Sequence, residues 1–244
     1  MARRVALIPG GARGIGRAIG QALAEHGWDI ALCYRTSEED AQVAIKAVET
    51  SGGAAFAMRA DVSEPDTCMD LFDQVLAWRG QIDALVHCAG PFHRVDVLDE
   101  TADGWRAMFA SNLDSLFFLS RLVSPGMMER QWGRIIAFGM ANADRVMAQT
   151  QITAHYLAKV SVLGLVRSLA KALAPHQITV NAISPGFIDS GSPDLAELSQ
   201  MVKAIPAGNV GTVDDVVAAA LFLLSEEAGY VNGTNIHVSG GWGI

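Results

Sequence analysis

The chain has 244 residues, 50% of them hydrophobic, and a formal net charge of -8 at pH 7. That length and composition suit one large α/β domain with a sizeable core. The surplus of carboxylates argues against partners that attract basic surfaces. We therefore expect no nucleic-acid partner and no membrane partner.

The cysteines and the apolar runs indicate a cellular compartment. Cys33, Cys68 and Cys88 are far apart and form no C-x-x-C pair, so neither a disulfide framework nor a metal site is predicted. The first apolar run, Val5 to Ile8, is too short for a signal peptide. The longest later run, Val216 to Leu224, falls short of the roughly 20 residues that cross a bilayer. We expect a cytoplasmic protein.

Short apolar runs rich in β-forming residues alternate with helical patterns along the chain. The predicted strands are Val5–Ile8, Ile30–Tyr34, Ala54–Met58, Ala84–His87, Arg134–Phe138, Thr179–Ile183 and Asn235–Val238. The predicted helices are Ile15–His26, Glu38–Ser51, Glu64–Trp78, Ala102–Arg130, Ile152–Ala174 and Val213–Ser225. Thr212 followed by Asp215 predicts a cap at the start of the last helix.

The predicted strands are hydrophobic along nearly their whole length. This pattern is typical of strands in a parallel sheet that helices cover on both faces. No repeat, low-complexity tract or linker-like change in composition interrupts the alternation. We therefore expect a single α/β domain over residues 1–244, with a doubly wound, seven-stranded parallel sheet.

A glycine-rich turn, Pro9-Gly10-Gly11-Ala12-Arg13-Gly14-Ile15-Gly16, follows the first predicted strand and leads into the first helix. At such a junction one glycine permits the tight turn and a second lets the backbone approach a pyrophosphate. A third lets the helix pack closely on the strand. The helix N-terminus adds unpaired N–H groups and a positive dipole end. Gly10, Gly14 and Gly16 fit these roles, and the turn predicts a Rossmann-type dinucleotide site.

Further motifs follow in a fixed order over the whole chain. They are Asp61-Val62, His87-Cys88-Ala89-Gly90, Asn112, Lys159, Ser184-Pro185-Gly186, Ile205-Pro206-Ala207-Gly208 and Gly240-Gly241-Trp242. With the glycine turn, they resemble the short-chain dehydrogenase/reductase family in its 3-oxoacyl-carrier-protein-reductase-like branch. The resemblance implies a single-domain Rossmann fold and an oxidoreductase that acts on a small-molecule substrate with a nicotinamide cofactor. It also implies a homo-oligomer, either a dimer or a tetramer.

The end of the second strand indicates which nicotinamide cofactor is bound. A carboxylate there would bind the adenosine ribose and repel a 2′-phosphate, but this chain has no acid before Glu38. Arg35 can instead make a charge-assisted contact with the phosphate. Arg13 lies where NADP-preferring relatives often carry a basic residue. The sequence therefore predicts NADP(H), although both arginines can also be read as surface groups.

The resemblance extends to further cofactor contacts. Asp61 matches a residue that contacts the adenine, and it can equally cap the helix that follows. The whole set of expected cofactor-binding residues is Gly10, Arg13, Gly14, Ile15, Gly16, Arg35, Asp61, Val62, Cys88, Ala89, Gly90, Lys159, Pro185, Gly186 and Ile188.

The catalytic positions depart from the family pattern. The resemblance implies a tyrosine that passes a proton, a lysine four residues later, a serine that binds the substrate oxygen, and an asparagine. Lys159 and Asn112 match the lysine and the asparagine. The tyrosine position falls on His155, with Tyr156 one residue later. Met140 occupies the serine position.

Helical geometry leaves both His155 and Tyr156 open as the proton donor. Residues four and three positions before Lys159 are displaced from it by roughly 40° and roughly 60° around the helix, in opposite senses. A histidine with an ordinary pKa of about 6.5 can also donate a proton. For the missing serine, a polar substitute can come from Asn142, Thr150 or Thr153, and the sequence selects none of them.

Three functions remain open at this point. The leading one is an NADP(H)-dependent oxidoreductase that exchanges hydride with a carbonyl or alcohol substrate, with His155 or Tyr156 as an atypical proton donor. A second is reduction of a conjugated C=C bond, for which the serine and tyrosine are less necessary. A third is a catalytically silent NADP-binding protein.

Overall fold

The computed structural model describes residues 3–191 and 200–244. Its strands are β1 (Val5–Pro9), β2 (Asp29–Tyr34), β3 (Ala55–Arg59), β4 (Ala84–His87), β5 (Gly133–Phe138), β6 (Ile178–Pro185), β7 (Ile188–Asp189), β8 (Gly211–Thr212) and β9 (Asn235–Val238). Its α-helices are α1 (Gly14–Glu25), α2 (Glu38–Thr50), α3 (Pro65–Arg79), α4 (Ala102–Phe109), α5 (Ser115–Arg130), α6 (Thr153–Leu173) and α7 (Val213–Leu224).

Seven strands form one parallel sheet in the order β3-β2-β1-β4-β5-β6-β9. All seven predicted strands belong to it, and the predicted fold class is confirmed. The order reverses direction next to β1, between β1 and β4. In open α/β sheets of this kind, ligands bind outside the carboxyl ends of the strands at such a point. The short strands β7 and β8 pair separately.

The two faces of the sheet are covered by different helices. In β1, Leu7 packs into a core cluster with Leu71, Leu116 and Val162 from α3, α5 and α6. The neighbouring residue Ile8 belongs to a second cluster on the other face. That cluster includes residues of α1, α2 and α7: Ile19, Leu23, Val48, Val216 and Leu223. Successive side chains of a strand point to opposite faces, so a nearly continuous apolar strand can serve both cores.

The predicted helix Ala102–Arg130 is helical over its whole length, but it is not a regular α-helix throughout. The structure has α4, a π-helical turn at Ala110–Asp114, and then α5. Side chains of the turn bond backbone carbonyls one turn earlier, since Ser111 Oγ donates to Ala107 O and Asn112 Nδ2 to Met108 O. Such bonds compete with the regular helical ladder, and π turns are frequent at functional sites.

The start of α7 and the apolar face of α6 agree with the sequence patterns. Thr212 and Asp215 form the predicted capping box of α7. On α6, Leu163 and Val166 are buried in the core of the same chain. Core packing therefore accounts for part of the apolar face of α6. Among the helices of the described ranges, none is long and apolar enough to cross a membrane.

Candidate active site

A cavity of about 420 Å³ lies at the carboxyl ends of the central strands. It runs along the turns and loops that follow the strands β1 to β6. Its lining includes most of the expected cofactor residues: Gly10, Arg13, Gly14, Ile15, Gly16, Arg35, Asp61, Val62, Cys88, Ala89, Gly90, Lys159 and Pro185. The fold thus brings residues from distant parts of the chain to one cleft.

The glycine turn packs tightly against the loop after β4. Gly10 has φ +75°, and a Cβ there would lie 2.9 Å from the backbone nitrogen of Ala89. A Cβ on Gly16 would lie 2.6 Å from Gly10 O, while Gly14 has φ +52°. Only glycine fits these positions without strain or collision. The same three glycines also line the cavity.

The N-terminus of α1 has the properties of an anion site. Arg13 is its N-cap in an extended conformation, and no described side chain caps the helix at this end. The first turn also carries no acidic residue. The first N–H groups and the positive dipole end are therefore available beside the cavity that Gly14, Ile15 and Gly16 line. These groups fit the pyrophosphate of a dinucleotide.

The part of the cavity that follows β2 and β3 contains both positive and negative charges. Arg35 Nη1 lies 3.9 Å from Asp61 Oδ2, and both side chains are partly exposed. Asp61 Oδ1 accepts bonds from Ser63 N and Ser63 Oγ, so Asp61 stabilises the turn before α3 and also lines the cavity. Asp40 lines the cavity too. Sequence reasoning missed Asp40, because it lies inside a run of acids at the start of a helix.

Lys159 is buried on α6 beside the cavity. Its Nζ donates a hydrogen bond to Phe138 O at 2.9 Å. Burial lowers the pKa of Lys159 from 10.5 to about 8, and the nearby Cys88 offsets a small part of this decrease. The ammonium therefore remains largely charged at neutral pH.

Asn112 lies next to Gly90 in the wall of the site. Its Nδ2 donates to Pro91 O at 3.3 Å and to Met108 O at 3.0 Å. Its Oδ1 is buried and has no partner within the described part of the chain. A Cβ on Gly90, which has φ +145°, would lie 2.3 Å from this oxygen and 3.5 Å from Lys159 Nζ. Gly90 thus allows Asn112 and Lys159 to approach each other.

His155 is 7% exposed and lies one helical turn before Lys159. Burial, and then the charge of Lys159, lower its pKa from 6.5 to about 4, while a hydrogen bond with the Pro91 backbone acts in the opposite direction. The ring of Phe92 packs against it in a T-shaped contact, with 5.1 Å between ring centroids. The imidazole is therefore neutral at neutral pH. His155 does not itself line the cavity, but Pro91 and Lys159 do.

Tyr156 lies in the core, 1% exposed. Its hydroxyl donates to Asn142 O at 2.8 Å and accepts from Met147 N at 2.8 Å. Both bonds hold the loop between β5 and α6, in which Asn142 and Val146 have positive φ angles of 64° and 50°. The hydroxyl of Tyr156 is thus engaged by backbone groups of its own chain.

The serine position and two of its possible substitutes lie in the loop between β5 and α6, and the third, Thr153, is the first residue of α6. Met140 is partly buried against the core. Thr150 is exposed, and Thr153 Oγ1 donates to Gln149 O. Asn142 is buried, and its Oδ1 has no partner among the described residues. Of the three polar candidates, Asn142 is therefore the one with a buried, open acceptor.

Two expected cofactor residues, Gly186 and Ile188, do not line the cavity. A Cβ on Gly186 would lie 2.9 Å from Ser239 Cα, and Ile188 belongs to a core cluster. Conversely, the lining includes Pro91, which sequence reasoning missed although it directly follows Gly90. Within residues 3–191 and 200–244, no three His, Cys, Asp or Glu side chains are grouped so as to hold a metal ion.

Known proteins match the chain over nearly its whole length. A family profile described as enoyl-(acyl carrier protein) reductase matches residues 10–243. The 3-oxoacyl-(acyl-carrier-protein) reductase FabG of Staphylococcus epidermidis is 32% identical over 241 residues, covering 97% of each chain. The acetoacetyl-CoA reductase of Shinella zoogloeoides is 36% identical over 248 residues, covering 98% of each.

Solved structures agree with these sequence matches. A short-chain type dehydrogenase/reductase from Mycobacterium marinum has a TM-score of 0.90 at 28% identity, covering 99% of this chain and 95% of that one. The acetoin dehydrogenase YohF from Salmonella typhimurium also has a TM-score of 0.90, at 27% identity, covering 98% of this chain and 96% of that one.

Proposed function

Because the chain belongs to the short-chain dehydrogenase/reductase family of nicotinamide-dependent oxidoreductases, we propose that it is an NADP(H)-dependent enzyme acting on a small carbonyl or alcohol substrate. The observation that carries this proposal is one cavity that joins the glycine turn with Arg13, and Arg35 after β2, to Lys159. NADP(H), when bound, would supply or accept the hydride.

The residues of the cavity fit the parts of this cofactor. The open N-terminus of α1 suits the pyrophosphate, and Arg13 and Arg35 suit the additional 2′-phosphate. Asp61 and Val62 would contact the adenine. Lys159 would bind the nicotinamide ribose through its ammonium, which the Phe138 carbonyl holds in position.

His155 is our candidate for the group that exchanges a proton with the substrate oxygen. Its ring has an open nitrogen, whereas the hydroxyl of Tyr156 is engaged by Asn142 and Met147. The low pKa of His155 means that the ring works in its neutral form. The neutral ring would take the proton of an alcohol during oxidation and become an imidazolium, and in the reverse reaction the imidazolium would return that proton to the carbonyl oxygen.

Calorimetry with NADPH and NADH tests the cofactor assignment. We expect NADPH to bind more tightly by about tenfold or more, because a charge-assisted contact contributes about 1.5–3 kcal/mol. The variant Arg35→Ala should lose most of this preference. Arg121→Ala, which changes an exposed arginine of α5 outside the lining, is the matched control. Tighter binding of NADH by the unchanged protein would contradict the proposal.

Consumption of NADPH with a panel of ketones, enones and 3-oxoacyl thioesters tests the reaction. Turnover of ketones or thioesters supports carbonyl reduction. Turnover of enones alone would favour the second candidate, reduction of a conjugated C=C bond, which is supported by Met140 at the position where a hydroxyl would bind the carbonyl oxygen. If no member of the panel is turned over in either direction, the proposed function is wrong.

We also propose that the chain forms a homo-oligomer, a dimer or a tetramer, as its family membership leads us to expect. Light scattering of the purified protein measures its mass directly. A mass of 25.9 kDa at micromolar concentration, which is that of one chain, would contradict this proposal.

A further inference from the structure

His87, the last residue of β4, is buried beside the start of α5. Its ring nitrogen Nε2 lies 2.8 Å from Ser115 Oγ, and Ser115 Oγ donates to Ser111 O at 2.8 Å. All three residues are buried, and Ser111 belongs to the π turn and lines the cavity. Two hydrogen bonds thus connect the centre of the sheet to the candidate site.

These two bonds determine which nitrogen of His87 carries the proton. A carbonyl can only accept, so the single hydroxyl proton of Ser115 is used in the bond to Ser111 O. Nε2 of His87 must therefore donate to Ser115 Oγ. Burial, and then the charge of Lys159, lower the pKa of His87 from 6.5 to about 3, which leaves the ring neutral with one proton. That proton is on Nε2.

The same bonds support the backbone where the π turn departs from a regular α-helix. In an α-helix, the Ser115 N–H would donate to Ser111 O, four residues earlier. Here it donates to Ala110 O, five residues earlier, and the Ser115 hydroxyl bonds Ser111 O instead. The hydroxyl therefore replaces the hydrogen bond that the π turn displaces, and His87 orients this hydroxyl by donating to it.

Asn112 lies in the middle of the π turn, and its position depends on the shape of the turn. Its Nδ2 donates to Met108 O and Pro91 O, and its buried Oδ1 has no partner within the described part of the chain. A Cβ on Gly90 would lie close to both Asn112 Oδ1 and Lys159 Nζ, so these two groups meet at Gly90. If the turn relaxed to α-helical bonding, the residues on its two sides would rotate relative to each other by about 100°. Asn112 Oδ1 would then move away from Lys159.

We propose that His87 is a positioning residue, which acts through Ser115 to hold the π turn in the shape that keeps Asn112 Oδ1 close to Lys159. This inference rests on the proposed function only in giving Asn112 a task in turnover. His87 does not itself line the cavity. It therefore affects the reaction through the turn rather than by contact with substrate or cofactor.

Nitrogen-15 NMR tests the two hydrogen bonds without substrate or cofactor. The protein has six histidines, and the resonances of His87 are identified by their loss in His87→Gln or by their shift in Ser115→Ala. At pH 7 we expect a neutral ring with its proton on Nε2. A proton on Nδ1, or on both nitrogens, would overturn the inference.

The side-chain amide of Asn112, identified by its loss in Asn112→Asp, reports the position of that residue. We expect its signals to shift in Ser115→Ala and in His87→Leu, which removes the donor. They should stay in place in His87→Gln, because the glutamine amide can donate from near the position of Nε2. Ser124→Ala is the matched control, because it removes another buried hydroxyl-to-carbonyl bond of α5, to Ser120 O, away from the turn. An Asn112 amide that does not move in Ser115→Ala would overturn the inference.

Steady-state kinetics separates positioning from a purely structural role. For the best substrate of the panel, His87→Leu and Ser115→Ala should each lower kcat by about tenfold, with KM and NADPH affinity within about twofold. The variant with both changes should lose no more than about tenfold, because both interrupt the same pair of hydrogen bonds. His87→Gln and the control Ser124→Ala should keep kcat within about twofold of the unchanged protein.

Unchanged kcat in Ser115→Ala, losses that multiply in the double variant, or a His87→Gln variant as slow as His87→Leu would each contradict the proposal. These outcomes differ from failure of the proposed function, which is decided by cofactor affinity and by turnover of the unchanged protein. If no substrate is turned over, the proposed function fails, and the two NMR measurements still decide whether His87 positions Asn112.

Discussion

Buried charged groups have partners at the amino ends of the parallel strands, whereas several buried polar atoms of the described residues lack partners at the carboxyl ends. At the amino ends, where the strands begin, buried charges have partners. Asp83 accepts from Val5 N at 2.8 Å and pairs with Arg130 at 3.3 Å. Asp29 pairs with Arg79 at 2.8 Å, and its other oxygen accepts from the Ala54 backbone. The buried carboxylates at this end are thus satisfied, and Thr179 Oγ1 near the start of β6 is the exception among buried polar atoms of the described strands here.

At the carboxyl ends, several buried polar atoms stay open. Among the described residues, six buried side-chain atoms have no hydrogen-bond partner, and four of them are near these ends: Asn112 Oδ1, Asn142 Oδ1, His155 Nδ1 and His237 Nδ1. The loop after β5 also holds a β-branched residue, Val146, at positive φ. Both features cost stability, and both are typical of sites built for a ligand.

The difference separates the part of the molecule that secures the fold from the part that performs chemistry. Changes at the amino ends should reduce stability without changing the site. Changes at the carboxyl ends should alter function more than stability, except where a side chain also fixes a loop. Substitutions at both ends of the strands, and the pH dependence of stability, test this separation.

The substitution His155→Gln should reduce turnover of the best substrate by about 10²–10⁴-fold, because it removes the proposed proton-exchanging group. Steady-state kinetics measures the effect, and NADPH affinity should stay within about threefold. His26→Gln, which changes an exposed histidine at the end of α1, is the control and should leave turnover unchanged. Unchanged turnover in His155→Gln would show that His155 does not exchange the proton with the substrate.

The stability of the protein should depend on pH through His155. Its pKa is 6.5 when unfolded and about 4 when folded, so the unfolded chain binds more protons between these values. The contribution of His155 to the free energy of unfolding is therefore fully present above pH 6.5 and is lost as pH falls toward 4. The total loss is roughly 3 kcal/mol. Urea unfolding of the unchanged protein and His155→Gln across this window measures the difference. If the free energy of unfolding changed with pH in the same way in both proteins, the ring of His155 would not be buried in its neutral form.

The substitution Asp83→Ala should lower the free energy of unfolding by about 2–3 kcal/mol. It leaves Val5 N and Arg130 without their buried acceptor. NADPH affinity should not change, since Asp83 lies at the amino ends of the strands. Asp103→Ala is the matched control, because its pair with Arg106 is exposed and should contribute almost nothing. A large loss of cofactor affinity in Asp83→Ala would contradict the view that the amino ends of the strands stabilise the fold without affecting the site.

The substitution Tyr156→Phe should lower the free energy of unfolding by about 1–2 kcal/mol, because Asn142 O and Met147 N lose their partner. Turnover should fall by less than about tenfold, as the loop loosens. Tyr230→Phe changes a fully exposed hydroxyl and should have no effect on either quantity. If Tyr156→Phe abolished turnover while His155→Gln did not, the choice of His155 would be wrong.

Much of the fold could be predicted because its signals are local. The apolar runs gave all seven strands of the sheet, and the Thr212 and Asp215 pair gave the start of α7. The π-helical turn after Phe109 could not be predicted, because it depends on side-chain bonds such as Asn112 to Met108 rather than on hydrophobic period. The spacing of Gly10, Gly14 and Gly16 likewise indicated a turn that the structure packs against Ala89.

The fold class, and through the ordered motifs the family, could be predicted from the amino-acid sequence. Periodicity and turn chemistry depend on residues that are neighbours in the chain. The sequence left both His155 and Tyr156 open as proton donors, since helical spacing alone brings both near Lys159. Their contacts in the folded chain differ. The tertiary structure buried the Tyr156 hydroxyl against Asn142 and Met147 and left a nitrogen of His155 open beside Pro91. Those partners are far away in the chain or depend on loop conformation, and no local pattern encodes them.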